Sequence, residues 1–124
     1  MILRISPDQR EDWLAAIGRT HRGRRARIRV GSGHAPGRTV AELPLVSLRW
    51  RADERRLEIL LGDPARDIWY PHEVWDVREL DVRTAPDGVD VRMGYPGGHT
   101  TLSLSTGTRA GAPAPALARS VGVA

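Results

Sequence analysis

Cysteine, lysine, asparagine and phenylalanine are all missing from this 124-residue chain. Without cysteine there can be no disulfide, no thiolate metal ligand and no cysteine nucleophile. That fits a cytoplasmic protein, the setting expected here. Long apolar runs are missing too. No stretch approaches the roughly 18 residues that span a bilayer, so no membrane partner is expected. The opening Met1–Pro7 carries one cation and a very short apolar stretch, which is no secretory h-region. The absent lysine, asparagine and phenylalanine share A/T-rich codons, so a GC-rich genome accounts for the bias without invoking function. With all 19 basic residues arginine, the sequence pI of about 10.8 overstates the basic character behind a net charge of +4, because arginine is effectively never deprotonated.

What is present reads as one globular domain. Forty per cent apolar and 27% charged residues give a chain of this length a single modest core. The charge is unevenly placed. Arg19 to Arg29 holds six arginines and no acid, while Glu73 to Asp90 holds six acids against two arginines.

Residues 2–5 read as a short strand. Ser6-Pro7-Asp8-Gln9 is a helix start, with Ser6 as N-cap, Pro7 at the first helical position and Gln9 completing a capping box. Trp13, Leu14 and Ile17, with Ala16, form an apolar stripe at helical spacing, and Arg10, Glu11, Asp12 and Arg19 fall on the water side. Gly23 is the stop, which predicts an amphipathic helix over 7–21. The period then changes to two. Ala26, Ile28 and Val30 alternate with Arg25, Arg27 and Arg29. A strand over 38–50 is interrupted at Pro44, where a bend, bulge or edge position is expected. Leu57, Ile59 and Leu61 form the next strand. Residues 68–83 are extended with a phase change near Arg78 that calls for a bulge or turn. Val89–Met93 and Thr100–Leu104 supply the last strands. The expected fold is therefore α+β: an N-terminal helix followed by a five- to seven-stranded antiparallel sheet or small barrel, within a single domain over 1–106. The Ala/Gly/Pro-rich segment 107–124 is expected to be a disordered tail.

Four candidate features were weighed for chemistry. None of His21, His34, His72 and His99 lies in a metal-ligand spacing, so no metal and no cofactor is expected. His21 suits a helix end by its charge, and His99, after a Gly-Gly turn, is expected to face solvent. His72-Glu73 is a general-base candidate if a nucleophile and an orienting group join it, and a surface pair otherwise. The Gly31–Gly37 loop lacks the Gly-Lys-Ser/Thr ending of a phosphate cradle and precedes a strand, so it reads as a hairpin loop. Arg25, Arg27 and Arg29, with Arg22 nearby, form a candidate anion or nucleic-acid contact; the alternative is a solvated face paired with acids such as Glu58, Glu79 or Asp81. Trp69, Tyr70 and Trp75 are a candidate partner patch, with burial in the core as the alternative.

The order of Trp13, His21-Arg22-Gly23, Leu43-Pro-Leu45, Ile59-Leu-Leu-Gly-Asp63, Pro86-Asp-Gly88 and Gly98-His-Thr-Thr-Leu102 resembles a bacterial family of small uncharacterised proteins, a domain of unknown function, across residues 6–106. The resemblance implies an architecture and no activity. A helix followed by a bent small barrel also resembles the Sm-type or PRC-barrel layout by topology alone, but the Asp-x-x-x-Asn signature is absent. These readings point to a non-catalytic binding or adaptor domain with an unidentified protein partner or a second copy of itself as a homo-oligomer. The alternative is nucleic-acid binding through the arginine strand, and a small hydrolase around His72 ranks last.

Overall fold

The computed structural model describes residues 1–106; the tail expected over 107–124 lies outside the described residues. A 3-10 turn at Pro7–Gln9 runs into α1 (Arg10–His21). Eight strands follow the chain order: β1 (Ile2–Arg4), β2 (Arg25–Ser32), β3 (Arg38–Arg51), β4 (Arg56–Asp63), β5 (Ile68–Val74), β6 (Glu79–Ala85), β7 (Gly88–Tyr95) and β8 (Gly98–Ser105). They form one sheet in the order β1-β6-β7-β8-β2-β3-β4-β5, and every neighbouring pair is antiparallel. The α+β architecture with one helix ahead of an antiparallel sheet is thus the observed one. The sheet has one strand more than the widest expectation, and β1 and β5 are its edges.

The helix start departs from the capping box. The Ser6 hydroxyl donates to Asp8 Oδ1 at 2.8 Å, and the Gln9 amide donates to the Ser6 carbonyl at 2.9 Å, which closes the 3-10 turn instead. The stop is as expected. Gly23 has φ +82, a conformation that a Cβ would strain, and its amide donates to Leu45 of β3 at 2.8 Å.

The buried helix face is Arg10, Leu14, Ile17, Gly18 and His21, spaced four, three, one and three residues apart. The expected stripe was therefore rotated by about one position. Trp13 is 36% exposed and Ala16 is also on the outside, whereas Arg10 is 2% exposed. Arg10 turns inward because carbonyls await it there: its guanidinium donates to Val77 and Arg78 and lies 5.5 Å over the Trp50 ring. His21 is buried as well, and its Nδ1 meets the Ile17 carbonyl at 3.0 Å, so it serves the helix end as a hydrogen-bond donor within the core.

Period-two alternation fixes the rest. Ala26 and Ile28, Leu57, Ile59 and Leu61, Leu80 and Val82, Val91 and Met93, and Leu102 and Leu104 all face one core with Leu14, Ile17 and Trp50. β3 carries the sheet round. Its residues 38–44 pair with β2 and residues 45–51 with β4, and a register shift falls between Leu45 and Ser47 beside Pro44. The phase change near Arg78 is a turn: β5 ends at Val74, Asp76 takes φ +54, and β6 begins at Glu79. Among the described residues, no helix is long and apolar enough to cross a membrane.

Candidate functional site

Three sites follow from the alternation. The first is the outer face of β2. Arg25, Arg27 and Arg29 all point away from the core, as expected from the spacing. Their acid is Glu42 of β3, not Glu58, Glu79 or Asp81: Arg25 and Arg27 each approach Glu42 Oε2, at 3.5 and 3.6 Å. Arg27 lies in register with Glu42, so the pairing is a cross-strand one, between exposed side chains and of modest strength. Glu58 and Asp81 are held elsewhere, by Arg56 and Arg4. Arg22 does not join the row. It follows the last residue of α1, and the hollow beside Arg25 and Arg27 is lined instead by residues of β3, β6, β7 and β8.

The second is the edge strand β5. Trp69 is 48% exposed and Trp75, just past the strand, is 52% exposed; Ile68 is 40% exposed. Tyr70 does not belong to this patch. Alternation turns it inward, where it packs on the core and stacks on His72 at 5.9 Å between ring centroids. The two tryptophans are held in place. Trp69 lies across Gly62 of β4, where any Cβ would meet its ring at 2.8 Å, and its indole N–H donates to Asp67 at 3.0 Å. The Trp75 indole N–H donates to Glu73 at 3.2 Å, and the Arg56 guanidinium lies 4.5 Å over the Trp75 ring, a cation–π contact. Arg56 also binds Glu54, Glu58 and Glu73 at 2.5, 2.5 and 2.8 Å. Hydrogen bonding to Glu54 is the first cause that raises its pKa above the ordinary guanidinium value. Glu58 and Glu73 stand directly opposite each other on β4 and β5, so Arg56 is the cation that makes this juxtaposition tolerable. Composition gave no signal for this cluster, because its members come from a turn and two strands.

The third is His72. It is no surface pair with Glu73. Adjacent residues of a strand point to opposite faces, so His72 faces inward while Glu73 faces out to Arg56 and Trp75. His72 lines a cleft of about 330 Å³ with Val30, Glu73, Val74, Trp75, Tyr95 and Thr100, and the Tyr95 and Thr100 hydroxyls are hydrogen-bonded to each other at 2.8 Å. A general base needs a partner that orients it, and the Glu73 carboxylate in this cleft is held by Arg56 and the Trp75 indole. Burial pushes the His72 pKa below 6.5. The fold thus binds fewer protons than the unfolded chain just below that value, and stability is lost as pH falls through 6.5 toward the folded pKa. In His72→Gln, that part of the acid destabilisation below about pH 6.5 is expected to vanish from denaturant melts; an unchanged pH slope would contradict it.

His99 is half-buried rather than solvent-facing, with Nε2 at 3.1 Å from the Ala35 carbonyl. It thereby ties the 31–37 loop to β8, which accords with a hairpin loop. Among the described residues, no group of three or more histidines and acids is placed to hold a metal ion. No family model, curated protein or solved structure matches the chain.

Proposed function

We propose that this chain is a non-catalytic binding or adaptor domain, bacterial and cytoplasmic, whose protein partner docks on the β5 edge. One observation carries the reading: Trp69 and Trp75 lie exposed on and just past the edge strand β5, although the core has no phenylalanine and takes only Trp50 of the four tryptophans. Large aromatics held rigidly at a surface, with one polar end satisfied, are what binding hot spots are made of. The Glu73 carboxylate beside His72 is taken up by Arg56 and the Trp75 indole, which supports a non-catalytic role. Glu42, shared by Arg25 and Arg27, weakens the competing nucleic-acid reading for that pair.

Because each tryptophan is about half exposed and packs its other side, Trp69→Ser with Trp75→Ser should cost roughly 1–3 kcal/mol of stability, with thermal melts confirming that the fold is retained, while it weakens partner binding at least tenfold. Purification from native lysate, with and without nuclease, is the test. A nuclease-resistant partner retained by the natural chain and lost by the double variant supports the reading. Equal retention by both, or capture that nuclease abolishes, overturns it. Self-association at the same edge is read by light scattering on a concentration series, where a strict monomer removes that occupant.

A further inference from the structure

A different face carries an independent inference. The sheet order brings β6, β7 and β8 beside β2, and their outward residues form rows across the strands. One row reads Arg29, Thr101, Arg92, Asp81 and Arg4; the row beside it reads Arg27, Ser103, Asp90 and Arg83. In the first row Asp81 is the cross-strand acid of Arg92. It is instead gripped by both Arg4 Nε and Arg4 Nη2 from the edge strand, and that hydrogen bonding raises the Arg4 pKa above its ordinary value. Arg92 is thereby left without its acid.

The consequence is a hollow of about 230 Å³ lined by Arg29, Arg83, Arg92, Thr101, Asp81 and Asp90, with Ile2 at its rim. None of the three guanidiniums has an ion-pair or hydrogen-bond partner among the described residues. Arg29 Nε is also buried without an acceptor among them, a state that costs free energy until something accepts from it. With Asp81 neutralised by Arg4, the three guanidiniums against Asp90 leave two positive charges. A guanidinium fork matches the oxygens of a tetrahedral oxyanion, and the Thr101 hydroxyl stands between Arg29 and Arg92 as a further donor. The hollow is smaller than the roughly 300–1,000 Å³ of sites that enclose a whole organic ligand.

We propose that this hollow binds a phosphate group, as free phosphate or as part of a larger molecule, through Arg29, Arg83, Arg92 and Thr101. It is a site that the arginine row of β2 does not form alone; Arg83 and Arg92 complete it from strands more than fifty residues later in the chain.

Calorimetric titration of inorganic phosphate into the full chain at low ionic strength tests it. The expected result is saturable one-to-one binding. Arg83→Gln with Arg92→Gln weakens it at least tenfold, Thr101→Val weakens it measurably while keeping the side-chain shape, and Arg25→Ser with Arg27→Ser changes it less than twofold. Thermal melts of each variant confirm that the fold is retained. Titration of a single-stranded oligonucleotide with phosphate as competitor separates the sources: competition assigns the phosphate to a polymer backbone and supports the site. No saturable heat up to roughly 10 mM phosphate, equal losses in the Arg25/Arg27 variant, or oligonucleotide binding that phosphate does not compete overturns it.

Discussion

Arg10→Ala is expected to cost about 3 kcal/mol of stability, read as a lower denaturant midpoint at unchanged slope. The side chain is 2% exposed. It donates to the carbonyls of Ile5, Val77 and Arg78 at 3.4, 3.2 and 3.0 Å and so fastens the start of α1 to the segment between β5 and β6. Burial first, and then the charges of Arg4 and Arg55, push its pKa down from the ordinary guanidinium value. That value lies so far above neutrality that the group stays ionised, and the dry carbonyls with the Trp50 ring supply the compensation. Alanine removes the donors and leaves a cavity together. Arg10→Met separates the two effects by restoring most of the volume. If the carbonyls dominate, methionine recovers less than half of the loss; full recovery would show that packing alone placed the arginine there.

Leu102→Ala should cost about 3–4 kcal/mol by the same measurement. Leu102 sits in β8 between Ile28 of β2 and Val91 of β7, and all three are 0% exposed. A central strand hydrogen-bonded on both sides cannot collapse into the void, so the cavity term persists. A loss below about 1 kcal/mol would mean that the sheet relaxes around the gap. Against a total of about 5–15 kcal/mol, either change is large. Substitutions at the exposed Arg83 and Arg92 fall outside these mechanisms, and their effects on binding can be read without interference from folding.

The misplaced residues show what the sequence withheld. Arg10 was assigned to water by its charge, and only three carbonyls from segments near and far in the chain make its burial favourable. Tyr70 stands in a run of aromatics with Trp69 and Trp75, yet alternation on β5 sends it to the opposite face. His72 and Glu73 are neighbours that line one cleft, but Glu73 is claimed by Arg56 from β4 and by Trp75, which adjacency in the sequence does not show. Arg25, Arg27 and Arg29 were legible as one face of one strand. Glu42 was not legible as their acid, because the register of β2 against β3 includes a shift between Ile28 and Arg29.

The amino-acid sequence by itself determined that a helix stopping at Gly23 precedes a series of strands. It also determined which residues within each strand look inward, because periods of 3.6 and two are local properties of the backbone. The tertiary structure alone decided that β7 and β6 lie beyond β8 next to β2, that Arg4 takes Asp81 from Arg92, and that β5 is left as an edge bearing two tryptophans. Strand order is set by pairings between segments tens of residues apart, and those depend on how all the apolar faces can be buried at once, which no local pattern encodes.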